Sequence, residues 1–399
     1  MFSDKRKKPL TASILTTLPL VAVLAASFNA NAAENYKLRQ TPLGSFGGDI
    51  ATPADKPGFF GTASLTQLTI EGIKGPTGGI LTMNSGKKDV RLDVLRPTLF
   101  TGTAIAGVLA TVDDGTVSLK QDQTQINLAG GYLTESKYAD GRIAFVANVP
   151  LTKQRRTALI SFPDASFSPN HPALSLKPAG SPLTYRELIN AGLKSQTQAL
   201  SDTASDEAAG IGDTELSAVW VRHTDRLKVA AGVSVFVPTG KFNATRDANF
   251  QANPGFGDFY TIRPGVAFTY NLNPSHAHQD WDAGVTVAGR LAYGVNTRNK
   301  DTDYKSGNFV YSEAAIVKVA GDVAFGFNLS STQQVTEDTY TGTATKAIIG
   351  RYRNMASGPF FSYKFPGQDM GINFQMNRNF SGRNAIDVTS YQLRLIKAF

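Results

Sequence analysis

The side chains best placed to do chemistry in this chain are basic and amide groups set between apolar neighbours. Lys228, Arg263, Arg290 and Arg394, with Asn328, Asn373, Gln375 and Asn377, each fall on the polar face of a segment that alternates polar and apolar residues. Side chains of a strand alternate between its two faces, so these eight share a chemistry only if their strands turn that face to a common interior. Basic groups in a low-dielectric interior attract an anionic head group, as rings of charge do in pores. They equally suit internal pairing with Glu215, Asp282 or Glu313, since buried charges are normally paired.

Nucleophilic and metal chemistry find less support. The histidines are His171, His223, His276 and His278. Loop parity puts the last three in short turns and His171 in a long loop, away from any strand serine, whereas a His-based hydrolase needs base and nucleophile within hydrogen-bond reach. His276 and His278 make an incomplete zinc site without further ligands. Asp301, Asp303, Glu337 and Asp338 could hold a divalent cation against lipopolysaccharide, but surface carboxylates are the default reading. With no cysteine there is neither disulfide nor thiolate site. No catalytic residue, metal or cofactor is expected.

The elements that must position the polar face are strands. Trp281 to Val295 places Trp281, Ala283, Val285, Val287, Gly289, Leu291, Tyr293 and Val295 on one face, against Asp282, Gly284, Thr286, Ala288, Arg290, Ala292 and Gly294. The stretch exceeds the roughly 9–11 residues a tilted strand needs to cross hydrocarbon, and its aromatics stand where two interfacial girdles would be. Leu227 to Val237, Phe259 to Tyr270, Val323 to Val335, Met370 to Phe380 and Asp387 to Phe399 repeat the pattern. Phe59 to Ile70, Val94 to Thr111, Gln125 to Lys137 and Arg142 to Leu151 read as earlier strands, with Val112 to Thr124 as a polar loop. Pro264 predicts an irregular ladder position, and Gly358-Pro359 a bend.

Residues 1–32 read as a secretory signal. Lys5, Arg6, Lys7 and Lys8 precede an apolar core from Ile14 to Ala26, and Ala30-Asn31-Ala32 is a small-x-small site predicting cleavage after Ala32. The core is too short for the ~20 apolar residues of a spanning helix. Mean hydropathy is slightly negative, as expected where half of each strand faces water. The formal charge of +8 includes most of that n-region, and no dense basic run or nucleic-acid motif is present, so nucleic acid is not an expected partner.

Connections alternate short and long back from Phe399, the rule for membrane barrels with short periplasmic turns and longer external loops. The reading is therefore an all-β transmembrane antiparallel up-and-down barrel of 12–14 strands over residues 58–399, in the bacterial outer membrane. An irregular segment, 33–57, precedes it. Residues 153–213 break the rhythm as a long inserted loop bearing a short helix, expected as a lid or plug. Tyr391, Leu393, Leu395 and Phe399 form an alternating strand with an aromatic end. It resembles the terminal strand read by the barrel-assembly machinery, which joins outer-membrane lipid and lipopolysaccharide as an expected partner.

GIGDTEL at Gly210–Leu216, AAGVSVFVPTGKF at Ala230–Phe242, TIRPGVAFTY at Thr261–Tyr270, TDYKSGNFV at Thr302–Val310 and QQVTEDTYTG at Gln333–Gly342 resemble the outer-membrane meta-pathway of phenol degradation transporter family, which includes sphingosine-induced porin-like proteins. The resemblance covers Gly210 to Phe399 well and the earlier strands loosely. It implies a channel for passive uptake of hydrophobic or amphipathic small molecules, often aromatic, and brings no catalytic residues. The insert at 153–213 is the main departure. A structural or adhesion barrel that transports nothing is the alternative, and a packed lumen would favour it.

Overall fold

The computed structural model describes residues 30–31, 33–36, 38–39, 57–83, 88–95, 100, 102–273, 284–342, 347–348 and 350–399. They fall into two compact units. The larger spans Asn29–Leu81, Ser118–Ala158 and Thr203–Phe399, and the smaller holds Thr82–Val117 and Leu159–Asp202.

Twelve antiparallel strands form the barrel: β1 (Gly58–Lys74), β2 (Gly115–Leu133), β3 (Arg142–Ser161), β4 (Thr214–His223), β5 (Leu227–Val237), β6 (Thr261–Asn271), β7 (Val285–Asn296), β8 (Phe309–Ala320), β9 (Val323–Gln334), β10 (Arg353–Phe365), β11 (Met370–Arg383) and β12 (Ala385–Ala398). Each pairs with its neighbour in sequence, and β12 returns to β1 from Phe60↔Ala398 to Lys74↔Ala385, closing the sheet. Closure removes the edges that would otherwise leave backbone groups unpaired in lipid.

The alternation decides which face points where. Phe145, Val266, Leu291, Phe325, Phe327, Phe361, Phe374 and Leu393 are exposed, while Ala144, Ala292, Asn328, Asn373 and Gln392 beside them are buried. A water-soluble sandwich would show the reverse, with apolar groups inside. Continuous apolar strips on every side of a closed sheet, enclosing amides, are the exterior of a membrane barrel.

Two strand boundaries differ from the sequence reading. Val94 to Thr111 is not a barrel strand: it enters the smaller unit through a helical turn at Leu92–Leu95, and only Leu109–Val112 is extended. Its apolar residues lack an alternating polar set, and Phe100, Ile105, Val108 and Ala110 are each buried. Conversely, Val112 to Thr124 is no loop but mostly β2, whose residues from Gln121 to Thr124 are polar on both faces and so hide the strand period. These changes bring the count to twelve. β11 and β12 are joined by Asn384 alone, at φ 46°, as a tight turn.

The insert is also more ordered than a loop with a short helix. Lys153 to Ser161 continues β3, and Asp206–Ile211 pairs back onto it from Leu151↔Ile211 to Arg156↔Asp206. Between them the smaller unit contains a five-turn helix, Tyr185–Ala204. Its start is a capping box: Thr184 N–H donates to Glu187 Oε2 (2.8 Å) and Glu187 N–H to Thr184 Oγ1 (3.3 Å). The Thr184 N–H, with the Thr184 hydroxyl donating to the same oxygen (2.9 Å), holds the Glu187 carboxyl below its ordinary pKa. Ile189 and Leu193 bury one face of the helix, and the Tyr185 ring lies 5.6 Å from that of Phe100.

Prolines mark where the barrel ladder lapses, since proline cannot donate to it. The β6–β7 register runs to Ile262↔Val295 and resumes at Gly265↔Ala292, stepping over Pro264. The β10–β11 register stops at Ser357↔Arg378 and resumes at Phe360↔Gln375, stepping over Gly358-Pro359. A Cβ on Gly358 would stand 1.8 Å from the Met376 carbonyl oxygen, so only glycine permits this approach.

Candidate functional site

The lumen has one wall made of a directed amide ladder. Gln121, Gln123, Gln125 and Asn127 sit two apart on β2 and therefore share its inner face. Gln121 Nε2 donates to Gln123 Oε1 (3.0 Å), Gln123 Nε2 to Gln125 Oε1 (2.9 Å), Gln125 Nε2 to Asn127 Oδ1 (2.8 Å), and Asn127 Nδ2 to Ser64 Oγ on β1 (3.3 Å). Arg156 on β3 closes one end, donating through Nε and Nη2 to Gln121 Oε1 at 2.8 and 2.7 Å. A cavity of about 210 Å³ lies between this polar wall and apolar side chains including Ile70, Phe236 and Val388.

Part of that cavity is lined by the chain's own N-terminal segment, through Tyr36, Leu38 and Arg39. Arg39 Nε donates to Asp213 Oδ2 (2.9 Å) and its Nη2 to the Gly257 carbonyl (2.9 Å), while Nη1 donates to the Phe259 carbonyl. Its guanidinium lies 3.7 Å from the Phe259 ring centroid, a cation–π geometry. The ion pair is almost wholly buried, with side-chain exposures of 1% and 3%. Burial pulls the Arg39 pKa below its ordinary value, and the Asp213 carboxylate opposes that shift. Glu34 adds a second anchor, accepting from Asn299 Nδ2 (3.0 Å) and the Thr302 hydroxyl. The seat itself is stiffened by Asp338, which accepts from the Tyr304 hydroxyl (2.5 Å) and Gly307 N–H (2.6 Å). Burial, then Asp338, drives the Tyr304 phenol far above its ordinary pKa, keeping it a donor.

A second cavity, of about 300 Å³, lies among β3–β8. Arg263, Arg290, Glu215, Asn148, Ser217, Ser234 and Tyr311 are its polar lining; valines and small residues such as Gly232, Gly265 and Ala292 supply the rest. Arg263 Nη2 donates to Glu215 Oε1 at 2.5 Å, and its guanidinium stands 5.0 Å from the Phe236 ring centroid. Arg290 Nη1 is 3.5 Å from Glu313 Oε2.

The eight residues singled out from the sequence fall into three groups. Arg263 and Arg290 line the second cavity, with Lys228 on the same inner row of β5 as Ser234. Asn328, Asn373, Gln375 and Asn377 bury on β9 and β11 on either side of β10, where Asn328 pairs in register with Gly358 and Asn373 with Ser362. Arg394 donates to Gln392 Oε1 (2.9 Å) on β12. The set is thus distributed around the lumen and does not converge on one point. Of the histidines, His171 caps a turn by accepting from Ala173 N–H (3.1 Å) and His223 ends β4 exposed. His276, His278, Trp281, Asp282 and Ala32 lie outside the described residues, as does the side chain of Ala30.

The amide ladder and the Arg39–Asp213 anchor went unread in the sequence. The ladder had a signal, since QDQTQIN repeats an amide at every second position. The anchor had none, because its partners are separated by most of the chain's first half.

A closed twelve-stranded sheet, apolar outside and lined within by amides, charged pairs and cavities, defines a transmembrane β-barrel. The chain belongs to the family described as putative MetA-pathway of phenol degradation, which it matches over residues 110–395. Among solved structures it is similar to an outer-membrane channel from Pseudomonas putida F1, at 12% identity and a TM-score of 0.56, over 90% of this chain and 100% of that one. At that identity the likeness shows the fold. Looser likenesses, which carry no argument, are to the β domain of the Bordetella autotransporter BrkA (9% identity, TM-score 0.40, 86% and 100% of the chains) and to the Pseudomonas putida toluene transporter TodX (10% identity, TM-score 0.34, 92% and 97%). No curated protein matches the chain.

Proposed function

We propose that this protein is an outer-membrane channel for the passive uptake of small hydrophobic or amphipathic molecules. The observation that carries the reading is the lumen itself: two cavities, each lined by both polar and apolar side chains, inside a barrel of this family. An amphipathic solute moving along such walls exchanges water for amide contacts on one side and apolar contacts on the other. The basic and amide residues Lys228, Arg263, Arg290, Arg394, Asn328, Asn373, Gln375 and Asn377 are the ligand-contacting set, and no catalytic step is involved.

Export follows cleavage after Ala32, which removes the Ala30–Asn31 pairing with Ala347–Ile348 and leaves Glu34 and Arg39 in the mature chain. The terminal strand, with Phe399 N–H donating to the Phe59 carbonyl (2.8 Å), is the assembly signal, and the outer rim meets lipopolysaccharide. Residues 153–213 are read as the lid or plug of this channel.

The rival reading of a sealed structural barrel draws support from the paired charges Arg263–Glu215 and Arg290–Glu313 and from the deeply buried amides of β9 and β11. Swelling of liposomes loaded with the refolded mature barrel separates the two: flux of small ring solutes supports the channel, and none from folded protein supports the sealed barrel.

A further inference from the structure

The second lumen cavity has a chemical bias that the amphipathic-channel reading, on which this inference rests, does not specify. Its charged lining consists of Arg263, Arg290 and one carboxylate, Glu215, so cations exceed anions at its surface. Glu313 stands behind Arg290, with a side chain only 1% exposed. Arg263 is 8% exposed: Nη2 is held by Glu215, while Nη1, almost without accessible surface, has no hydrogen-bond acceptor in the protein and meets a ligand oxygen after a small shift of the side chain. A buried guanidinium N–H lacking an acceptor is costly to leave unmade, and carboxylate oxygens are its best-matched partners.

The surroundings fix the remainder of the ligand. Ser217 and Ser234 bond each other at 2.8 Å and so compete little for it. Gly232, Gly265, Ala267 and Ala292 give short apolar walls, and the volume of about 300 Å³ is at the small end for ligand pockets, suited to a single ring. The ladder lapse at Pro264 adjoins Arg263, where the backbone of β6 departs from regular pairing.

We propose that this cavity is a binding site for the carboxylate of a small single-ring acid, with Arg263 as the recognising residue and Arg290 as the supporting cation. A neutral alcohol of the same ring size enters the same space but offers Arg263 Nη1 only an uncharged acceptor, without the charge assistance of a carboxylate.

The test is equilibrium binding of benzoate and of benzyl alcohol to the folded full-length mature barrel in detergent, with folding checked by heat-modifiable migration. Wild type should hold benzoate more tightly than benzyl alcohol. Arg263→Gln should weaken benzoate by about tenfold, the loss of one charge-assisted hydrogen bond, and change benzyl alcohol less than about twofold. Because Arg263→Gln strands Glu215, the paired variant Arg263→Gln with Glu215→Gln keeps the site neutral and should show the same selective loss. Equal weakening of both probes in the paired variant, or no benzoate preference in folded wild type, overturns the assignment. Flux of benzyl alcohol through wild-type proteoliposomes separates the two readings. If it passes while benzoate is not preferred, this site fails and the channel stands; if it does not pass, the channel reading itself fails.

Discussion

Asp213→Asn should unseat the N-terminal segment without unfolding the barrel. The substitution removes the negative charge facing Arg39 and leaves one oxygen, which keeps the contact of Asp213 Oδ1 with Gly240 N–H (3.0 Å), while the amide nitrogen replaces Oδ2, the acceptor for Phe256 N–H (3.1 Å) and Arg39 Nε. What remains is a guanidinium with 1% side-chain exposure and no counter-charge at hydrogen-bond distance. Removing one partner of a buried pair costs about 3–5 kcal/mol. At about 1.4 kcal/mol per tenfold, the seated state loses roughly two to three and a half orders of magnitude against the released one. The barrel ladder does not pass through Arg39, so the protein can avoid that cost locally by letting residues 33–39 leave. Limited trypsin digestion of the folded barrel reads this out: wild type should resist cleavage after Arg39, and Asp213→Asn should be cut there while retaining its heat-modifiable band. Arg39→Met with Asp213→Asn, which leaves no bare charge, should restore most of the protection of this segment to chymotrypsin at Tyr36. Equal resistance of wild type and Asp213→Asn would refute the argument that this ion pair holds the segment.

Other consequences are equally direct. Phe327, 49% exposed on the outer face of β9, should cost about 2–4 kcal/mol on replacement by Arg if it lies near the bilayer midplane, measured by urea-dependent folding into liposomes. Gly358→Ala should destabilise by about 1–3 kcal/mol through overpacking against Met376, and more than Gly130→Ala, where a Cβ meets nothing within 4 Å; the same assay compares them. Deleting Phe399, which is bonded to Phe59 at one rim, should lower the amount of barrel assembled in cells more than it lowers refolding in vitro, as seen by comparing membrane-fraction yield with refolded yield.

The sequence carried most of the barrel because lipid outside and amides inside impose the same two-residue period on every strand. Phe327 beside Asn328, Leu291 beside Ala292 and Leu393 beside Arg394 each announce a face. The period failed where one environment surrounds both faces. Gln121 to Thr124 have polar surroundings on either side, so β2 looked like a loop; Val94 to Thr111 feeds a compact core, so it looked like a strand. Which strand residues face the interior was legible from phase alone. What could not be read was long-range pairing, since nothing local ties Arg39 to Asp213 or Arg156 to Gln121.

The channel reading turns on whether the lumen passes solute. Liposome swelling with benzyl alcohol and small sugars, taken above the rate of protein-free liposomes because benzyl alcohol crosses lipid unaided, and comparing folded wild type with Asp213→Asn, is the most direct measurement. A channel gives swelling with the ring solute in wild type and a faster rate in the variant. Absence of protein-dependent swelling from both, in protein shown to be folded, would contradict the channel.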